Sequence, residues 1–286
     1  MISYNPKDWF TFIFRFHKAD TFRTLFPLML GLGAYSFGVA YIETEVLQLN
    51  KSSRLLNITT MHGMLGFVIS LLLVFRTNTA YDRWWEGRKM WGLLVNNSRN
   101  LAIKLSVMLT EESDRAKFRS LIPHFAFVLH RHLGNPDTAS ALNEDGIRLQ
   151  PGKHAPNQVA MTLFGEINQL YKDGKITGDQ LIILNSEVRS FTDICGACER
   201  IKNTPIPYSY SAFIKKFIFF YVMTLPLGWV FQLGYYVIPA VMFILYVLAS
   251  LELIAEEIED PFGSDANDLP TRQMATNIRK HVEEVL

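Results

Sequence analysis

Cysteine is almost missing from this chain: two occur in 286 residues, Cys195 and Cys198. Their CGAC spacing suits a redox pair or one half of a zinc site, but a zinc site of that kind needs a second pair that is not there. A structural role in a polar helical stretch is the simpler reading. An excess of one charge is missing too. Lys and Arg total 28 against 27 Asp and Glu, a formal net charge of +1, so there is no basic field for nucleic acid and no acidic field for a cationic partner. Nucleic-acid binding is therefore set aside. No Gly-rich phosphate loop, HExxH cluster or paired-carboxylate site occurs, which leaves catalysis without a candidate, and no enzyme is expected. The opening segment has no short apolar core with a small-residue cleavage site, so a signal peptide is not expected either.

What is present is long apolar runs. Averages of 49% hydrophobic and 19% charged residues hide an uneven distribution. The run TTMHGMLGFVISLLLVF, Thr59 to Phe75, has no acid, Lys or Arg and stops directly in RTNTAYDRWWEGRKMWG, a belt of aromatics and basic charge. That pattern predicts a bilayer-spanning helix with its interfacial anchor. Spans are expected at about 24–42, 58–75, 213–231 and 233–251, the last two joined by a tight turn around Gln232. Lys7, Arg15, Lys18 and Arg23 precede the first span and place the N-terminus in the cytoplasm; four crossings return the C-terminus there, in the inner (plasma) membrane. The aromatic and basic alternation from Trp9 to Lys18 suits a helix lying at the membrane surface.

The stretch 76–207 is rich in charge and must face water, as must 252–286. Apolar residues there recur every three to four positions, over GRKMWGLLVNNSRNLAIKLSVML and in Leu121–Leu133, Met161–Tyr171 and Leu181–Ile201, with a loop between Gly134 and Pro156. The expected architecture is an all-α membrane protein forming one unit over 1–286, with long helices running from membrane into cytoplasm.

Inside the spans, His62 is the one titratable group well within the second. A lone His there reads as a packing or pore-mouth residue rather than a proton relay, which disfavours coupled transport. His130 and His132 flank Arg131 and point to different sides of a helix, which suits a solvated face. Met64, Phe67, Val68 and Leu71 fall on one helical stripe, with Gly63, Gly66 and Ser70 beside them allowing close packing. Such a stripe is either an apolar constriction between several copies or a lipid-facing or core surface.

FRTNTAYDRWWEGRKMWG after the second span, TPIPYSYSAFIKKF before the third and IEDPFGSDANDLP after the fourth occur in the order found in the bestrophins, and the chain resembles the bacterial branch of that family from Trp9 to Leu269. The resemblance implies a homopentamer around one axial pore, with a narrow hydrophobic neck and a wide cytosolic vestibule. It implies a passive ion channel, chloride or another small anion being the expected cargo. A monovalent cation channel of the same fold remains open, because apolar neck residues do not set the sign of the ion. A non-conducting membrane scaffold is a further alternative. By analogy the second span lines the neck with Met64, Phe67, Val68 and Leu71. Arg76, Arg83 and Arg88 are candidates for vestibule charge, against contact with lipid headgroups, while Trp84 and Trp85 anchor the membrane boundary and Asp82 pairs with a nearby arginine. In animal members the stretch after the fourth span forms a calcium clasp, and Glu257, Asp260, Asp265 and Asp268 fall where its ligands would align. Here Ala266 and Asn267 interrupt the acidic run, so a turn at Pro261 and Gly263 with capping acids is the preferred reading and no cofactor is required.

Overall fold

The computed structural model describes residues 21–49, 57–134 and 149–286. The surface helix expected from Trp9 to Lys18 and most of the loop around Pro136 lie outside the described residues. Every regular element among the described residues is helical. In chain order these are α1 (Thr21–Tyr41, continued by a π turn at Ile42–Val46), α2 (Ile58–Met108), α3 (Glu112–Gly134), α4 (Ala155–Lys172) and α5 (Gly178–Asn203), followed by α6 (Tyr208–Thr224), α7 (Pro226–Leu233), α8 (Val237–Glu259) and α9 (Thr271–Val285).

The organising element is α2. Its 51 residues form one uninterrupted helix of about 77 Å, because no Pro interrupts the pattern and the apolar run passes directly into an amphipathic one. The first part packs on α6, α7 and α8, the second on α5 and α9. Two cores result. In the polar half, Trp91, Leu94, Leu101 and Leu105 recur at helical spacing along α2 and pack into a closed core with Phe118, Phe125, Leu163, Phe191 and Ile278. In the apolar half, Leu32, Ile69, Leu73, Ile214, Val237 and Val241 form a smaller core.

Local signals set the helix boundaries. Thr177 and Gln180 form a reciprocal capping box at the start of α5, and Pro156 sits in the first turn of α4, where its missing N–H costs nothing. The helix expected over 213–231 is divided: Pro226 has no N–H to continue the ladder, so α6 ends at Thr224 and a short α7 follows. Gln232 lies inside α7. The chain leaves α7 at Gly234, whose φ of 55° is a conformation other residues rarely adopt, and α8 then packs against α1 and α2.

Among the described residues, three stretches have the length and composition to cross a membrane: Thr21–Val46, the apolar part of Ile58–Met108, and Tyr208–Glu259. The chain is a membrane protein with several apolar helices.

Candidate functional site

Along the first part of α2 the two faces differ. His62, Ile69, Leu73, Arg76 and Ala80 are buried against neighbouring helices. The opposite face is bare: Met64, Phe67, Val68 and Leu71 are 69%, 71%, 43% and 45% exposed in the protomer. All four candidate neck residues therefore share one uncovered apolar surface, which continues through Val74 and Phe75. Of the small residues beside it, Gly66 is a close-approach site, since a Cβ there would lie 2.8 Å from the Tyr221 hydroxyl, whereas Gly63 has open space.

The buried face is held by polar contacts. His62 Nε2 meets Thr224 Oγ1 at 3.0 Å, its ring stands edge-on to Tyr221 at 5.8 Å, and Tyr221 donates to the His62 carbonyl. The residue packs helices together; it does not face the bare stripe.

Arg76 departs from expectation. It is 1% exposed, and its guanidinium pairs with Glu252 at 3.4 Å and Glu259 at 2.7 Å, both on α8. It is not a vestibule charge: a guanidinium enters a protein interior only with carboxylates to compensate it, and here two do so. Arg83 is likewise committed, donating through Nε to the Glu259 carbonyl at 3.0 Å and through its two Nη atoms to the carbonyls of Ile201 and Thr204. It satisfies carbonyls left over at the end of α5. Glu259 completes the joint by accepting the Ile206 N–H at 2.6 Å. Of the three arginines, Arg88 is the exposed one. Glu252 and Glu259 were not anticipated as functional; their seven-residue spacing, which puts both on one face of α8, was the available signal.

Below this joint, the turn 260–270 is fastened to α2. Trp84 Nε1 donates to the Asn267 carbonyl at 3.0 Å, so this Trp holds the turn rather than serving as a free membrane anchor. Trp85 is exposed and stacks with Tyr81 and Trp84. Asp82 is also exposed, and among the described residues no ion pair joins it to an arginine. Gly87 makes the approach possible, because a Cβ there would meet the Phe262 ring at 3.1 Å and Pro261 at 3.2 Å.

Of the four acids aligned with the calcium clasp, three brace the turn through their side chains. Glu257 accepts the Asn267 side-chain amide at 2.6 Å, Asp260 Oδ1 accepts the Phe262 N–H at 3.3 Å, Asp268 Oδ2 accepts the Asp265 N–H at 2.5 Å, and Asp265 itself is exposed. Asp268 is buried, its Oδ1 has no partner, and burial pushes its pKa up to about 6. Calcium needs six or more oxygens at about 2.3–2.6 Å around one point. Among the described residues, acid, His and Cys ligand atoms converge three at a time only at His132, His154 and Glu199.

Two further expectations change. Neither His130 nor His132 lies on a solvated face: His130 Nδ1 meets Thr271 Oγ1 at 2.8 Å, and His132 Nε2 meets Glu199 at 2.6 Å. Cys195 and Cys198 are buried in the polar-half core as free thiols. Burial raises both pKa values, that of Cys198 to about 12, so neither is a ready nucleophile.

Known proteins share this arrangement. A bacterial bestrophin homologue from Klebsiella pneumoniae superposes with a TM-score of 0.80 at 25% identity, covering 91% of this chain and 98% of that one. A voltage-dependent anion channel-forming protein of Nostoc sp. is 38% identical over 231 residues, 77% of this chain and 75% of its own. One of Synechocystis sp. is 36% identical over the same proportions, and one of Escherichia coli, YneE, is 31% identical over 73% of this chain and 70% of its own. The model of the bacterial and fungal bestrophin proteins matches residues 1–284, and the chain belongs to that family.

Proposed function

We propose that this chain is one subunit of a passive membrane channel for small anions, chloride among them. One observation carries the reading: a continuous apolar stripe, Met64, Phe67, Val68 and Leu71, stands bare on a helix whose opposite face is fixed by packing and buried polar contacts. Copies arranged as a homopentamer turn that stripe toward a common axis, where it forms a hydrophobic neck that gates by dewetting. Relatives named as voltage-dependent anion channel-forming proteins support an anion as cargo. Four crossings, in α1, the apolar part of α2, α6 with α7, and α8, put both termini and the polar half in the cytoplasm of a bacterial cell. The protein meets lipid on its remaining apolar faces and needs no cofactor. Arg88 is the vestibule charge candidate that is still exposed, and the acidic turn acts as a brace between α8 and α9 rather than a calcium clasp.

The test is the reversal potential of the purified protein in planar bilayers under a KCl gradient. A shift toward the chloride potential is expected. A shift toward the potassium potential would assign the same fold to cations, and absence of current in every gating condition would favour a non-conducting scaffold. Phe67→Ala or Val68→Ala is expected to change the conductance while leaving the fold intact.

A further inference from the structure

Three helices of the polar half end at one point that conduction does not use. His132 lies in the last turn of α3, His154 is the N-cap of α4, and Glu199 lies near the end of α5. Glu199 Oε1 meets Nε2 of His132 at 2.6 Å and Nε2 of His154 at 2.5 Å, and the two rings stand edge to face with centroids 4.5 Å apart. The three ligand atoms lie within 4.8 Å of one another, and no other such group occurs among the described residues.

Proton positions follow from the contacts. Partial burial pushes the Glu199 pKa up, but the hydrogen bonds from His154 and His132 outweigh it and hold the carboxyl below its usual range. A carboxylate only accepts, so each Nε2 carries a proton. On His154, Nδ1 accepts the Asn157 N–H at 3.2 Å, which makes that ring the neutral Nε2–H tautomer. Cys195 lies one turn before Glu199 on the same helix, and the nearby carboxylate adds to burial in raising the thiol pKa.

We propose that His132, His154 and Glu199 form a binding site for a divalent transition-metal ion of the zinc class, apart from the conducting stripe. Two imidazoles and one carboxylate on separate elements are the donor set that zinc takes in three-ligand sites, with water in the fourth position. Calcium and magnesium prefer shells of oxygen and do not match it. On binding, the ion takes the place of the two Nε2 protons between the rings and Glu199, and the neutral His154 ring keeps its proton by passing it through solvent to Nδ1. The ligand atoms separate from 2.5–2.6 Å to about 3.3 Å, the edge of a tetrahedron with bonds of about 2.0 Å. His154 then carries its proton on Nδ1 and gives up the long cap bond to Asn157. The side chains are 16%, 34% and 28% exposed, so an ion reaches them from solvent. A bound ion ties the ends of α3, α4 and α5 together.

The experiment uses tag-free, full-length protein in detergent, stripped with chelator and titrated with ZnCl2 against a chromophoric chelator, with metal content measured in parallel. His154→Ser removes the ligand but keeps a capping oxygen, Glu199→Gln removes the charge, and His130→Gln is the control, since His130 bonds Thr271 instead. Thermal unfolding of the metal-free variants establishes that each is folded. One zinc per wild-type chain is expected, with binding at least about tenfold weaker in His154→Ser and Glu199→Gln and unchanged in His130→Gln. Failure of the wild type to take up stoichiometric zinc, or wild-type affinity in both folded ligand variants, would overturn the proposal. Neither readout depends on ion conduction.

Discussion

In the polar half, Phe125 and Phe191 meet edge to face at 5.1 Å inside a closed core, whereas in the apolar half Phe67, Phe220 and Phe243 stand exposed on the outer faces of their helices. Water sorts the first kind of helix into an inner and an outer face. Lipid does not, because a hydrocarbon surround is as apolar as a Leu side chain. What fixes helices to one another in the apolar half is instead close approach and isolated polar contacts: Gly33 against Met242, Gly66 against Tyr221, Thr21 with Ser250 at 2.7 Å, and His62 with Thr224. One half relies on a large closed core, the other on a smaller core reinforced by a few specific pairs.

That contrast can be broken most severely at the joint between the halves. Arg76→Ala leaves Glu252 and Glu259 as buried carboxylates without their guanidinium, a loss of about 3–5 kcal/mol. The measurement is thermal unfolding in detergent, where a large fall in midpoint and poor recovery of folded oligomer are expected. A variant as stable as the wild type would mean that the joint holds by packing alone.

A pair of phenylalanines sharpens the comparison. Phe125→Ala opens a cavity in the closed core and is expected to cost about 3–5 kcal/mol, with any change in conductance secondary to unfolding. Phe67→Ala removes a ring that touches little within its own subunit and is expected to leave the unfolding midpoint within a few degrees while altering single-channel current. Equal destabilisation by the two would erase the distinction between the halves.

Smaller effects come from the turn beneath the joint. Asp268 has a folded pKa of about 6, raised by burial from an unfolded value of 3.8. The folded state therefore binds this proton more tightly than the unfolded state does, and the contribution of Asp268 to stability improves as pH falls from about 7 toward 5. Unfolding midpoints measured over that range should rise slightly at the lower pH in the wild type and lose that component in Asp268→Asn. At the far end of the scale, Arg189 and Asp193 form an exposed pair at 3.6 Å on α5, and Asp193→Asn should change stability by no more than about 0.5 kcal/mol.

Much of this was legible in the chain. Apolar runs ending in aromatic and basic residues gave the membrane segments, and three-to-four periodicity located α3, α4 and α5, with α5 near its observed extent and α3 and α4 beginning nine and six residues earlier than expected. The Met64–Leu71 stripe was visible as a stripe, and the three family motifs gave it a meaning that periodicity left open. Arg76 was misplaced because a guanidinium after an apolar run reads as interfacial, and its compensating partners lie 176 and 183 positions further along the chain. The His132–His154–Glu199 cluster was hidden for the same reason, its members separated in sequence by 67 and 45 positions. Contacts across such distances are set by how helices pack, and no local pattern announces them. Pro226 carried the opposite lesson: the break it makes was available from the sequence, but the surrounding hydropathy masked it.

The unbroken helix α2 is also a lever. It is held about a third of the way along by Arg76, with about 18 Å from that fulcrum to Met64 and about 48 Å to its far end at Met108. A tilt of about 5° around the fulcrum sweeps the far end through about 4 Å and Met64 through about 1.5 Å. Because the rod has no Pro or loop to absorb the rotation, a push delivered to the polar half is geared down rather than lost, arriving at Met64 as a displacement comparable to the radius of a water molecule.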